Sequence, residues 1–219
     1  MLDTIIFDLD GTLLDTLQDL ADSVNAALAA NGFPMRTVDE VRRFVGNGVR
    51  RLMELAIPEG EKNPLFEQTL AQFKEHYAVH CMDKTAPYEG ILPLLTELKE
   101  RGYKLAVVSN KFDAAVKELN RQYFGELIPV AIGEKSTVRK KPAPDSVFAA
   151  IEALESGTES AIYVGDSEVD ILTAKNAGIP CALVTWGFRD KAYLHENGGE
   201  LFFDDADALK TYITDFKIG

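Results

Sequence analysis

Five short runs of aliphatic and β-branched residues punctuate the 219-residue chain: TIIFDL (4–9), KLAVVS (104–109), IPVAI (128–132), SAIYVG (160–165) and PCALVT (180–185). Each is nearly continuous in apolar character and bounded by turn residues, the pattern of a strand buried on both faces. Between the later runs the apolar positions move to helical spacing, over 91–101, 111–122, 144–154, 168–177 and 206–215. Strand and helix alternate, so the pattern predicts an α/β fold with a doubly wound parallel sheet.

The stretch after the first run breaks the alternation. Leu17, Leu20, Ala21, Val24, Ala27 and Leu28 repeat at helical spacing until NGFP stops them, and helical patterns follow at 37–44, 48–57 and 64–80. An all-helical insert of about seventy residues far exceeds a βα loop of roughly 2–6 residues. Two domains are expected: a core of 1–14 and 85–219, and an inserted helical domain of 15–84. Both ends of the insert return near the C-terminal end of the first strand, where ligands of open α/β sheets bind, so the insert is placed to act as a lid.

Composition narrows the function. Hydrophobic residues at 46% and charged residues at 26% are ordinary for a globular protein, and no apolar run reaches the length of a membrane span. The N-terminus has no basic region ahead of its apolar run, which points to no secretory signal and a cytoplasmic location. Cys81 and Cys181 lie without CxxC or Cys/His spacing and read as two reduced thiols. The net charge of −12 disfavours nucleic acid as a partner, and the lack of a long apolar run disfavours a membrane. It also repels small anions at long range, so an anionic substrate needs a locally positive site.

The polar residues that follow the strands supply one. DLDGT (8–12) follows the first, Ser109 and Asn110 the second, KKP (140–142) the third and GDSEVD (165–170) the fourth. In a parallel sheet these ends share one edge. Asp8, Asp10 and Asp166, with Asp170 nearby, form a set of hard oxygen ligands in small number, which suits Mg²⁺. Asp8 and Asp10, one residue apart, would repel each other without such a cation. A carboxylate beside Mg²⁺ is placed for in-line attack on a phosphoryl group, giving an aspartyl-phosphate that water hydrolyses. Gly11 permits a tight turn, Thr12 and Ser109 offer hydrogen bonds to phosphate, and Lys141 supplies positive charge.

DLDGT, VVSNK, KKPAPD and GDSEVD, in that order along the chain, resemble the four motifs of the haloacid dehalogenase superfamily, whose core is Rossmann-like. The resemblance implies that Asp8 is nucleophile and metal ligand, and that Asp10 is the general acid/base whose backbone carbonyl also ligates Mg²⁺. It implies phosphate binding by Asp8, Gly11, Thr12, Ser109, Asn110 and Lys141. Asp166 would complete the metal site, supported by Asp170 through a water or a hydrogen bond. DLADSVNAAL, FVGNGVRRLMELA, HYAVHCMDKTAPYEGI and TWGFRD are similar to stretches of the phosphoglycolate phosphatases, including their helical cap. The expected activity is therefore Mg²⁺-dependent hydrolysis of a small phosphorylated metabolite, phosphoglycolate first, by a monomer or homodimer. Pyrophosphatases and nucleotidases of the same cap type stay open. The β-phosphoglucomutases carry a His where this chain has Leu20, which disfavours a phosphotransferase.

Within the insert, RRFVGNGVRR (42–51) has two glycines suited to a tight loop and four arginines that could meet a carboxylate. Arg43, Gly46 and Asn47 are the substrate-selecting candidates, although such arginines equally suit the solvent face of two short helices. Asp15 reads as a residue serving the start of the next helix, and Ser109 and Asn110 as possible caps of a helix beginning near Lys111. His76 and His80, four apart with no third ligand, read as ordinary side chains of the insert. Trp186 suits either the rim of the site or the core.

Overall fold

The structure, a computed structural model, describes residues 2–135 and 138–215. In chain order it contains β1 (Thr4–Phe7), β2 (Leu14–Asp15), α1 (Leu17–Ala30), α2 (Val38–Phe44), α3 (Val49–Ala56), α4 (Phe66–His80), β3 (Ala86–Pro87), α5 (Ile91–Glu100) and β4 (Lys104–Phe112). There follow α6 (Asp113–Tyr123), β5 (Val130–Glu134), α7 (Asp145–Ala153), β6 (Ala161–Gly165), α8 (Glu168–Ala177), β7 (Cys181–Val184), α9 (Lys191–Glu196), β8 (Phe202–Phe203) and α10 (Ala206–Asp215). The chain divides into two compact units, Met1–Leu14 with Pro87–Gly219, and Asp15–Ala86.

In the larger unit six strands form a parallel sheet in the order β5-β4-β1-β6-β7-β8. β1 lies at its centre with Ile5, Ile6 and Phe7 fully buried. Full burial stabilises such side chains by about 2 kcal/mol each, which is why an uninterrupted apolar run belongs here. From β1 the chain builds outward through β4 and β5, then returns to add β6, β7 and β8 on the other side. The strand order therefore reverses beside β1, at the β1/β6 boundary, and the crevice past the strand ends at that point is the usual ligand site of doubly wound sheets.

Among the details that differ from the sequence expectation, two concern the strands of this sheet. A sixth strand, the two-residue β8, pairs with β7 at the sheet edge; it is too short to give a periodic signal. β4 runs through Ser109, Asn110 and Lys111 to Phe112, and α6 begins at Asp113. Ser109 and Asn110 therefore sit on the strand rather than capping a helix. The β4–β5 register shifts between Val108 and Phe112, a local irregularity that lets this last segment leave the regular ladder.

The smaller unit is helical in its interior. α1 buries Leu20, Ala21, Val24, Ala27 and Leu28 on one stripe. It stops at Asn31–Gly32, where Gly32 takes φ +69° and Phe33 N donates to Leu28 O. α2 starts with a capping box, Thr37 and Glu40 exchanging hydrogen bonds. Asp19, buried on α1, accepts from Lys84 N, Thr85 N and Thr85 Oγ1, and so ties the returning chain to the first helix. Asp15 Oδ1 accepts from Leu17 N at the start of α1. Among the described residues no helix is long and apolar enough to cross a membrane.

Candidate active site

Strand ends of the larger unit position the polar residues. Asp8 follows β1, and its backbone N donates to Val164 O of β6, locking the two central strand ends together. Asp166 follows β6, Lys141 follows β5, and Phe188 lies beyond β7. The carboxylates of Asp8, Asp166 and Asp170, all buried, place ligand oxygens within 4.8 Å of one another.

Lys141 is the hub of this group. Its Nζ lies 2.9 Å from Asp8 Oδ1, 2.8 Å from Asp170 Oδ1 and 3.0 Å from the Tyr163 hydroxyl. Burial pulls the ammonium toward deprotonation, but the Asp170 and Asp8 carboxylates outweigh it and hold Lys141 above the ordinary lysine range. Asn110 Nδ2 donates to Lys141 O and fixes the backbone from which that side chain starts.

Asp170 uses both oxygens within the protein. Oδ1 meets Lys141, and Oδ2 accepts from Asp166 N, Ser167 N and Ser167 Oγ. It thereby holds the backbone of Asp166 and the N-terminus of α8 in place. Asp166 in turn accepts from Thr12 Oγ1 and from Phe188 N, the latter at 2.6 Å. Gly11, at φ +84°, passes so close to Asp166 that a Cβ there would lie 2.3 Å from its Oδ2. Glycine is required at that position by both backbone angle and space.

The electrostatics favour a cation. Burial raises the Asp8 carboxyl from its usual range to about 7, with Lys141 opposing and the Asp170 and Asp10 carboxylates adding to the rise. Burial, with the Asp170 and Asp8 charges, also pushes Asp166 well above the carboxylate range. Carboxylates gathered so closely out of water gain most from a hard divalent ion, and their all-oxygen donor set fits Mg²⁺.

Asp10 is not part of that trio. Its Oδ1 meets Lys111 Nζ at 2.6 Å, with the lysine side chain almost fully buried. The proximity of Asp8 and Asp10 is therefore met by two lysines, each facing one aspartate, and not by a metal alone. Lys111 is a site residue that the sequence pattern does not announce: it stands two residues after Ser109 in VVSNK, where the apolar spacing from 111 onward suggests the start of a helix. Ser109, buried, accepts from Lys111 N through Oγ. Trp186 Nε1 donates to Thr12 O, which places the indole beside the DLDGT turn.

Arg43, Gly46 and Asn47 belong to the helical unit. Arg43 lies on α2, largely exposed and paired with Asp39; Gly46 and Gly48 take φ +122° and +83° in the loop before α3. The other arginines of that segment also meet carboxylates: Arg42 with Asp39, Arg50 with Glu61 and Glu67, Arg51 with Glu54. The His76 and His80 rings lie 4.3 Å apart, tilted by 31°, with Nδ1 atoms directed to Ser23 and Asp83.

Residues 5–184 match the family model of the haloacid dehalogenase-like hydrolases. A phosphoglycolate phosphatase of Aquifex aeolicus is 37% identical over 188 residues, spanning 84% of this chain and 85% of that relative. One of Agrobacterium fabrum is 36% identical over 216 residues, spanning 93% and 89%. A solved structure from Lactobacillus delbrueckii subsp. bulgaricus, provisionally described as a phosphoglycolate phosphatase, has a TM-score of 0.92 at 36% identity, covering 96% of this chain and 98% of that one.

Proposed function

The chain belongs to the haloacid dehalogenase-like hydrolases and is a phosphoric monoester hydrolase; from that premise we propose that it hydrolyses phosphoglycolate, with Mg²⁺, through a phosphoryl group held transiently on Asp8. The observation that supports this reading most is Lys141 fixed against Asp8 at the point where the strand order reverses, with Asp166 and Asp170 beside it.

Each residue has a part in the reaction. An oxygen of Asp8 attacks phosphorus while the bond to the leaving oxygen breaks, and Asp10 gives that oxygen a proton. Asp10 then takes a proton from the water that attacks the Asp8 phosphoryl group, which releases inorganic phosphate and restores the Asp8 carboxylate. Lys141, Ser109, Thr12, Asn110 and the Gly11 turn hold the phosphoryl oxygens, and Lys111 holds the Asp10 carboxylate. Asp8, Asp166 and the Asp10 carbonyl would hold Mg²⁺, which when bound would neutralise charge on the phosphoryl oxygens. Phosphoryl transfer depends chiefly on such positioning and charge balance.

In this reading the larger unit is the catalytic core and the helical unit is a cap that selects the substrate, with Arg43, Gly46 and Asn47 as its selecting residues. The test is a panel of phosphoglycolate, pyrophosphate, nucleoside monophosphates and sugar phosphates, ranked by kcat/KM with Mg²⁺ and with EDTA. Phosphoglycolate is expected to rank first and EDTA to stop phosphate release. A flat ranking overturns the substrate; absence of phosphate release from every ester overturns the phosphatase reading.

A further inference from the structure

Tyr163 lies in the middle of β6 with no exposed surface, in an apolar cluster with Ile6, Val108, Ile132, Val147 and Ile151. Phenylalanine would fill that space as well. A hydroxyl carried into such a cluster costs free energy unless both its donor and its acceptor functions are used. Both are used here: the hydroxyl donates to Val108 O at 3.2 Å and accepts from Lys141 Nζ at 3.0 Å.

We propose that Tyr163 is a positioning residue for Lys141, acting through its hydroxyl to aim the lysine at the phosphoryl group on Asp8. An ammonium has three N–H donors. Among the described residues the partners of Lys141 Nζ are Asp8, Asp170 and Tyr163, one for each donor. Two of these, Asp170 and Tyr163, lie outside the reacting group and do not change during the reaction. When the Asp8 carboxylate is consumed, they keep Nζ in place and leave the third N–H for the phosphoryl oxygens.

The neutrality of the third partner matters. A third carboxylate would add another negative charge where phosphoryl transfer needs positive charge, whereas a phenol satisfies the N–H without doing so. Burial holds the Tyr163 hydroxyl well above the ordinary phenol range, so it stays neutral. The donation to Val108 O also links Lys141 to β4 one residue before Ser109, tying two phosphate-holding groups to one side chain.

The inference rests on the phosphatase reading, and the test separates the two. Tyr163→Phe keeps the packing volume, and its melting temperature is expected to stay within a few degrees of the parent. Its kcat is expected to fall about tenfold, with KM changed less than twofold. In a Lys141→Ala background the same substitution is expected to leave inorganic-phosphate affinity, measured by calorimetry with Mg²⁺, unchanged; an additive loss there overturns the proposal. An arm independent of turnover observes the Lys141 ammonium by ¹⁵N NMR, assigned by its loss in Lys141→Ala. The signal is expected to shift and exchange faster with water in Tyr163→Phe. An unshifted signal, or a kcat equal to the parent in an active enzyme, overturns the assignment of Tyr163. A shifted signal in a chain that hydrolyses no ester keeps it and overturns the phosphatase reading instead.

Discussion

Lys111 Nζ stands 2.6 Å from Asp10 Oδ1, with the two side chains only 3% and 12% exposed. Together with Lys141 against Asp8, it gives each aspartate of the DLD segment its own buried lysine. Removing one member of a buried pair leaves the other charge uncompensated, at a cost of about 3–5 kcal/mol. Lys111→Met is expected to lower the melting temperature and reduce kcat by about 10–100-fold, more than it raises KM. Lys111→Arg should recover part of that loss. Unchanged turnover in Lys111→Met counts against a role in holding Asp10.

Asp8→Asn removes the proposed nucleophile at nearly constant shape. Hydrolysis should fall below detection while the circular dichroism spectrum stays that of the parent. Near-normal release of phosphate from a generic aryl phosphate would sink the assignment.

The raised Asp8 carboxyl gives a pH signature in the metal-free protein. Below the ordinary aspartate range the group is protonated both folded and unfolded, and it has no effect. Between that range and about 7 the folded state keeps a proton that the unfolded chain releases, so stability falls as pH rises, and the loss is complete above about 7. Thermal melts in EDTA should therefore show the parent losing stability from pH 4 to 8 relative to Asp8→Asn. Mg²⁺ should restore the parent and release protons on binding near pH 6. Equal pH slopes for the two proteins would refute the account.

Gly11→Ala places a Cβ 2.3 Å from Asp166 Oδ2 and strains a backbone at φ +84°. The carboxylate must move, so Mg²⁺ affinity should drop at least tenfold by calorimetry. Retained affinity would mean that Asp166 does not depend on this turn.

Arg43→Ala tests selection by the cap. It should raise KM for a carboxylated phosphoester severalfold more than for an uncharged one, with kcat little changed. Equal effects on both would reduce Arg43 to the surface partner of Asp39.

Periodicity by itself determined the longer elements. The apolar runs of β1, β4, β6 and β7, and the 3.6-residue stripe of α1, are local consequences of burial on two faces or one. The order of motifs along the chain likewise puts Asp8, Lys141 and Asp166 past strand ends. What the sequence could not determine is partnership. Whether Lys111 begins a helix or ends a strand turns on the β4–β5 register shift, a property of two strands and not of one. That Asp170 serves Lys141 and the Asp166 backbone, and that Tyr163 turns its hydroxyl to the same lysine, depends on which strand lies beside which. A tyrosine in an apolar run looks the same whether its hydroxyl is satisfied by water, by a carbonyl or by a lysine ammonium. Hydrogen-bond partners lie within about 3 Å in space but far apart along the chain, so only the tertiary structure decides them.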